Sequence, residues 1–226
     1  MSLIIGLVGF IGSGKGSVGE MFAHYSGFTQ DSFAAPLKDA VAAIFGWDRS
    51  NLEGATPASR VWREQPDEFW SLKFGKPFSP RMALQLMGTE AGRNIFHQDL
   101  WVVSLINRAN QRTGSTIVTD VRFKNEIAAI QKAGGIIIRV RRGPDPEWFL
   151  VAEDANNGDP RAIDYMKQLG IHQSEWDWIG SPINHTIYND STLDVLQDNV
   201  RHIATQQDLF VESTPSRMSS DQAIRM

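Results

Sequence analysis

An unbroken apolar run from Leu3 to Val8 opens into Gly9-Phe-Ile-Gly-Ser-Gly-Lys15-Gly-Ser17, after which apolar residues return at helical spacing (Val18, Met21, Phe22, Tyr25). The run reads as a strand buried on both faces of a parallel sheet. Glycines let the next stretch curl until several backbone N–H groups point at one spot. The helix beginning there adds its positive end. Together they make an anion site suited to a nucleotide's phosphates. Lys15 supplies a full charge where the β- and γ-phosphates would lie, and without ligand it is expected to face solvent. Gly9, Gly12, Ser13, Gly14, Lys15, Gly16 and Ser17 are therefore the candidate nucleotide-binding residues. The alternative is a turn that binds nothing. That would leave a lysine at a helix N-terminus, where its charge opposes the macrodipole.

The hydroxyl that usually follows the lysine and ligates Mg²⁺ is replaced by Gly16, and Ser17 comes one residue later. Gly-Lys-Gly followed by a hydroxyl resembles the loops of adenylate-kinase-type nucleotide kinases. In such a loop Ser17 meets the α-phosphate more naturally than the metal. Mg²⁺ is then expected to be held mostly through water and nucleotide, with Ser17 as the lesser metal candidate. Asp120, at the C-terminal end of the apolar strand Thr116 to Asp120, is the carboxylate placed to hold that water shell. Its structural alternative is the N-cap of a helix over Arg122 to Lys132.

Arg122 follows Asp120 by two residues and should share its crevice. Arg139, Arg141 and Arg142 end the next strand, Ile136 to Val140; alternation puts the first two on one face and Arg142 on the other. A guanidinium matches a phosphate bidentately, and a surface ion pair is the alternative for each arginine. Trp101 is either core or a platform for a base. The five His show no metal-ligand spacing.

Further along, helices are expected near 36–45, 58–70, 81–96, 98–111, 126–132, 160–169 and 191–206, and strands near 27–33 and 185–188. Alternating strands and helices imply an α/β fold of the P-loop NTPase type, a parallel sheet with helices on both faces. One domain is expected over 1–206, with a helical substrate-binding insertion over 46–112 and a lid-like excursion over 143–180. The polar tail 207–226 has the composition of a disordered segment. Lys plus Arg number 22 against 26 Asp plus Glu, which disfavours stable nucleic-acid binding. There is no Cys, which excludes thiolate metal sites and suits a reducing cytoplasm. No run approaches the roughly 18 apolar residues of a membrane span.

The ordered set of motifs resembles the deoxynucleoside monophosphate kinases of tailed bacteriophages over residues 3 to about 200. After the phosphate loop come Ala35-Pro36-Leu-Lys38-Asp39, Arg81 with Gln85, Gly88-Thr89-Glu90 and Trp101. Val118-Thr-Asp120-Val-Arg122 with Glu126 follows, then Arg142, His172-x-Ser-Glu175 and Asn189-Asp190. The resemblance implies ATP as phosphoryl donor with Mg²⁺ and a deoxynucleoside monophosphate as acceptor. It implies that Arg81 and Arg122 hold the acceptor phosphate, with Lys38 in the same set. Gln85 and Trp101 would line the base and sugar pocket near Thr89. Lys15, Asp120, Arg122 and Arg142 would carry the catalytic charge. It further implies a homodimer in the cytoplasm of a phage-infected or prophage-bearing bacterium. The chain departs from some members at Ile11 and Gly12, where they carry basic residues. Residues 46–80 show no match, and Arg63 there is only a candidate.

Two other functions fit parts of the sequence. The loop is similar to that of dephospho-coenzyme A kinases, whose alcohol acceptor needs a base; Asp31 is positioned for it. A motor or regulatory ATPase would carry an activating Glu beside the strand Asp, where this chain has Val121.

Overall fold

The computed structural model describes residues 3–207. The polar tail expected over 207–226 lies, beyond Gln207, outside the described residues. The first strand, β1 (Ile4–Val8), is buried at every position. α1 (Lys15–Ser26) leads to β2 (Thr29–Asp31) and α2 (Ala35–Phe45). The insertion follows as α3 (Arg49–Glu53), α4 (Pro57–Glu64), α5 (Glu68–Phe74), α6 (Pro80–Gln85), a π-helix (Leu86–Phe96) and α7 (Leu100–Gln111). β3 (Thr116–Val118), α8 (Lys124–Lys132) and β4 (Ile136–Arg141) return to the sheet. The excursion carries α9 (Phe149–Asn156), α10 (Pro160–Gln168) and a short 3₁₀ turn (Gln173–Glu175) before β5 (His185–Tyr188) and α11 (Leu193–Gln206).

All strand pairs are parallel, in the order β2-β3-β1-β4-β5. The chain leaves β1 toward one edge and crosses back after β3. The loops after β1 and β3 therefore share one crevice at the C-terminal edge of the sheet, where ligands bind in open α/β folds. The parallel α/β architecture is the one the sequence implied.

Period-two alternation divides the sheet between two cores. Ile5 and Leu7 face one way with Ile138, Val140 and Ile187, covered by Val18 and Phe22 of α1 and Leu196 and Val200 of α11. Ile4 and Val8 face the other way with Val118 and Ile137, covered by α7, α8, α9 and α10. Each fully buried Ile or Leu contributes roughly 1.5–3 kcal/mol, so β1 is the most heavily fixed element and a rigid base for the loop that follows it.

The structure corrects two expectations. The single helix expected near 58–70 is two, α4 and α5. Pro66 lacks the N–H that a continuous helix needs, and Asp67 restarts the chain by accepting from the Trp70 N–H at 2.9 Å. The excursion is more than a surface segment with one helix. It has α9 as well, and Ala152, Ala155, Met166, Trp178 and Ile179 are buried in the main core. The insertion shares a small core with α2, made of Val41, Leu52, Phe78 and Ala83 and packed against Phe45, Trp47, Trp62 and Trp70.

Candidate functional site: a phosphate loop beside an aromatic cavity

The loop after β1 owes its shape to glycine. Gly9, Gly12 and Gly14 hold φ of 143°, 78° and 100°, a region that side chains with a Cβ rarely adopt. A Cβ on Gly9 would lie 2.2 Å from the Val140 carbonyl oxygen, and one on Gly14 would lie 2.4 Å from Asn189 Nδ2. That amide donates to the Ser13 carbonyl at 2.9 Å, so the loop after β5 latches the phosphate loop. Gly16 and Ser17 lie in the first turn of α1, whose leading N–H groups have no partner within the helix.

Lys15 does not face solvent, contrary to expectation. Its Nζ donates to the carbonyls of Gly9 at 2.7 Å and Phe10 at 3.0 Å. Burial, and next the positive charge of Arg122, lower its pKa to about 8. The ammonium folds back on the loop's own carbonyls because they are the nearest acceptors.

Asp120 lies half-buried just past β3 and does not cap the following helix. Its Oδ1 accepts from the Phe33 N–H at 3.0 Å and its Oδ2 from the Ala34 N–H at 3.3 Å. It thus fastens the entry of α2 to the crevice. Burial pushes its pKa up, and those two hydrogen bonds oppose the shift. The turn before α8 is organised by Glu126 instead, whose Oε2 accepts from the N–H of Arg122 at 2.8 Å and of Phe123 at 3.1 Å. Burial raises the Glu126 pKa to about 7.

A cavity of about 370 Å³ opens beside these groups, lined in part by Asp120, Arg122, Glu126, Thr89, Arg93 and Trp101. Arg122 donates to Glu175 Oε1 at 2.7 Å and to Ser174 Oγ at 3.4 Å. Trp101 is partly buried at the edge of the main core. It lines the cavity, packs against the main core and donates from Nε1 to the Gly88 carbonyl at 2.9 Å.

A neighbouring cavity of about 530 Å³ is lined by Arg81, Leu84, Gln85, Thr89 and His172. Leu84, Thr89 and His172 line both, so the two adjoin. Arg81 and Arg122, expected around one phosphate, line different cavities. Arg81 is exposed and approaches Glu64 at 3.9 Å. Lys38 lies outside both cavities and pairs with Glu53 Oε2 at 2.5 Å. Arg142 is exposed beyond β4, outside both cavities, with no hydrogen bond or ion pair among the described residues. Arg139 and Arg141 share a face, as alternation requires, and both pair with Asp145.

Asp31, the base that an alcohol acceptor would need, is committed elsewhere. Burial alone would raise its pKa. Hydrogen bonds from Arg108, the Ser32 N–H and Arg112 outweigh that and hold it below the usual carboxylate range. Arg108 Nη2 and Arg112 Nη1 lie 2.9 and 2.6 Å from its two oxygens.

Sequence reasoning missed Arg93 and Phe123, and it noted Glu126 and Asn189 only as parts of motifs. Arg93 stands four residues after Thr89 on one helical run, a spacing that could have found it. Among the described residues no group of three or more His, Asp or Glu is placed to hold a metal ion. No described helix is long and apolar enough to cross a membrane.

No family model matches the chain. Over 154 residues it is 32% identical to a deoxynucleotide monophosphate kinase of Acanthamoeba polyphaga mimivirus, a match covering 62% of this chain and 74% of that protein. It is 26% identical over 180 residues to the deoxynucleoside-5'-monophosphate kinase of Escherichia phage T5, covering 56% of this chain and 70% of that one. Among solved structures, a shikimate kinase from Bacteroides thetaiotaomicron aligns over 92% of this chain and 99% of its own, with 12% identity and a TM-score of 0.44. Nearly three quarters of the mimivirus protein is matched at 32% identity, and by that measure the chain belongs to the deoxynucleotide monophosphate kinase family.

Proposed function

We propose that the chain transfers the terminal phosphoryl group of ATP to a deoxynucleoside monophosphate. One observation carries the reading. The phosphate loop after β1 and the cavity that Arg122 lines after β3 open on the same edge of the parallel sheet, and the Arg122 charge acts on Lys15. Donor and acceptor phosphates would meet between these two cations. An acceptor phosphate oxygen attacks the γ-phosphorus in line; the new O–P bond forms as the β–γ bridging bond breaks, and ADP leaves with the electron pair. The nucleophile is already an anion, so no protein base is needed, and catalysis is positioning plus charge stabilisation.

Gly9, Gly12, Ser13, Gly14, Lys15, Gly16 and Ser17 take the donor phosphates, with Ser17 on the α-phosphate. Thr89, Trp101 and Arg122 line the acceptor cavity. Arg81 and Gln85 bound its neighbour, and Lys38 supports the set from its pairing with Glu53. Arg142 is free to close on the transferring group. A carboxylate has about four lone-pair sites, and Asp120 uses two on Phe33 and Ala34. The remaining two suit the water shell of a Mg²⁺ held mainly by nucleotide phosphates. Bound there, Mg²⁺ would neutralise charge developing on the β- and γ-oxygens. The protein acts as a homodimer in this proposal, which light scattering reads directly.

The test is ADP release measured across all common ribo- and deoxynucleoside monophosphates, with dephospho-coenzyme A included. Turnover with one or more deoxynucleoside monophosphates is expected. Turnover with dephospho-coenzyme A alone overturns the reading. The commitment of Asp31 to two arginines already speaks against that outcome.

A further inference from the structure

The π-helix Leu86–Phe96 directs two neighbouring stripes of side chains at the cavity wall. Gly92 belongs to the first; a Cβ there would lie 2.6 Å from Trp101 Cζ2, so only glycine lets the indole close against the helix. Thr89 and Arg93 form the second stripe and point into the cavity. The Arg93 guanidinium lies over the Phe123 ring, 5.2 Å from its centroid. Among the described residues it makes no hydrogen bond or ion pair; its charge is felt by Glu126, whose ionised form it favours. The neighbouring arginines are already engaged, Arg122 with Glu175 and Ser174, and Arg108 and Arg112 with Asp31.

Arg93 and Arg122 line the same cavity, and Arg122 is the one whose charge acts on Lys15. The aromatic walls, Trp101 and Phe123, lie with Arg93. A flat base placed between those walls stacks on one of them and turns its edge to Arg93 and Thr89. A guanidinium offers five donors and no acceptor. It is satisfied by two adjacent acceptors and left facing another donor by an amino group.

We propose that Arg93 is a specificity-determining residue that reads the acceptor base, favouring guanine, with adjacent O6 and N7 acceptors, over adenine, with an amino donor beside N7. This rests on the cavity being the monophosphate site proposed above.

The test measures kcat and KM for dGMP and dAMP at saturating ATP in the wild type, Arg93→Met and Arg93→Lys. Arg93→Met keeps an unbranched stem over Phe123 and removes every donor; Arg93→Lys keeps the charge and loses the fork. In Arg93→Met the KM for dGMP should rise about 10-fold or more, with that for dAMP within about 3-fold and kcat little changed. Arg93→Lys should show the same bias, reduced. An equal rise for both substrates in both variants, or a fall in kcat with KM unchanged, overturns the assignment in favour of a phosphate-binding or structural role. Should Arg93→Met fail to fold, the folded Arg93→Lys decides by the same ratio. Absence of turnover with any monophosphate in the wild type defeats the kinase reading itself, an outcome distinct from loss of bias.

Discussion

At the scale of single residues, two titrations give the sharpest expectations. Lys15 has a lowered pKa of about 8, so the free protein loses this charge as pH rises through that value. The kcat/KM for ATP, which reports the free protein, should fall above about pH 8. Bound phosphates favour the ammonium, so kcat should stay flatter. Lys15→Met should lower turnover about 100- to 1000-fold, as removal of one preorganised donor does, and its remaining kcat/KM should lack the fall near pH 8. Glu126 behaves in the opposite sense. Its pKa is raised from the usual 4.5 to about 7, so between those values the folded chain binds a proton that the unfolded chain has released. Stability from this group is complete below about pH 4.5 and is lost as pH rises toward 7, at a cost of up to about 3 kcal/mol. Glu126→Gln keeps an oxygen for the N–H groups of Arg122 and Phe123 without the ionisation. Its Tm relative to the wild type should therefore improve from pH 5 to pH 8. An unchanged difference would mean that Glu126 ionises normally.

At the scale of elements, the phosphate loop depends on a strand far away in sequence. Asn189, just past β5, donates its backbone N–H to the Arg141 carbonyl at 2.8 Å and reaches the Ser13 carbonyl with its side chain at 2.9 Å. Asn189→Ala removes one hydrogen bond, worth about 0.5–1.5 kcal/mol. It should raise the KM for ATP several-fold and leave that for the monophosphate nearly unchanged; an equal effect on both would deny the latch. Such a contact shows where legibility ends. β1, the loop and α1 are readable because the signal is local: apolar run, glycines, lysine, helical spacing. β3 with Asp120, and β4 with its arginines, are readable for the same reason. The break between α4 and α5 needs more weight on Pro66. The π-helix is hidden because its apolar pattern resembles that of an α-helix. The distant partners of Asp120, Asp31 and Arg122 lie 52 to 87 residues away along the chain, and no periodicity reports contacts at that separation.

At the scale of the whole molecule, the excursion 143–180 is anchored in the core, which limits how much of it can move over a ligand. α9, α10 and Trp178 are held by buried contacts, and Asn156 Nδ2 donates to the carbonyls of Trp176 at 2.9 Å and Ile179 at 2.8 Å. Swinging the whole segment would expose several fully buried side chains, each at a cost of roughly 1.5–3 kcal/mol. The stretch 171–175 is tied more lightly; His172 and Ser174 line the cavity, and Glu175 pairs with Arg122. We propose that closure is confined to this stretch and begins when an acceptor phosphate displaces Glu175 from Arg122. The pair is partly exposed, with side chains 39% accessible for Arg122 and 23% for Glu175, so breaking it costs no more than about 1 kcal/mol. Glu175→Gln removes the competing charge and should lower the KM for the monophosphate about 2- to 5-fold, the equivalent of that energy. In hydrogen exchange, amides of 171–175 should gain protection only when ATP analogue and monophosphate are both bound. Those of α9 and α10 should be protected throughout. Protection gained across all of 143–180 on binding would restore the larger lid that the sequence suggested. A higher KM in Glu175→Gln would mean that the carboxylate positions Arg122 for the phosphate instead of competing with it, and displacement would no longer account for closure.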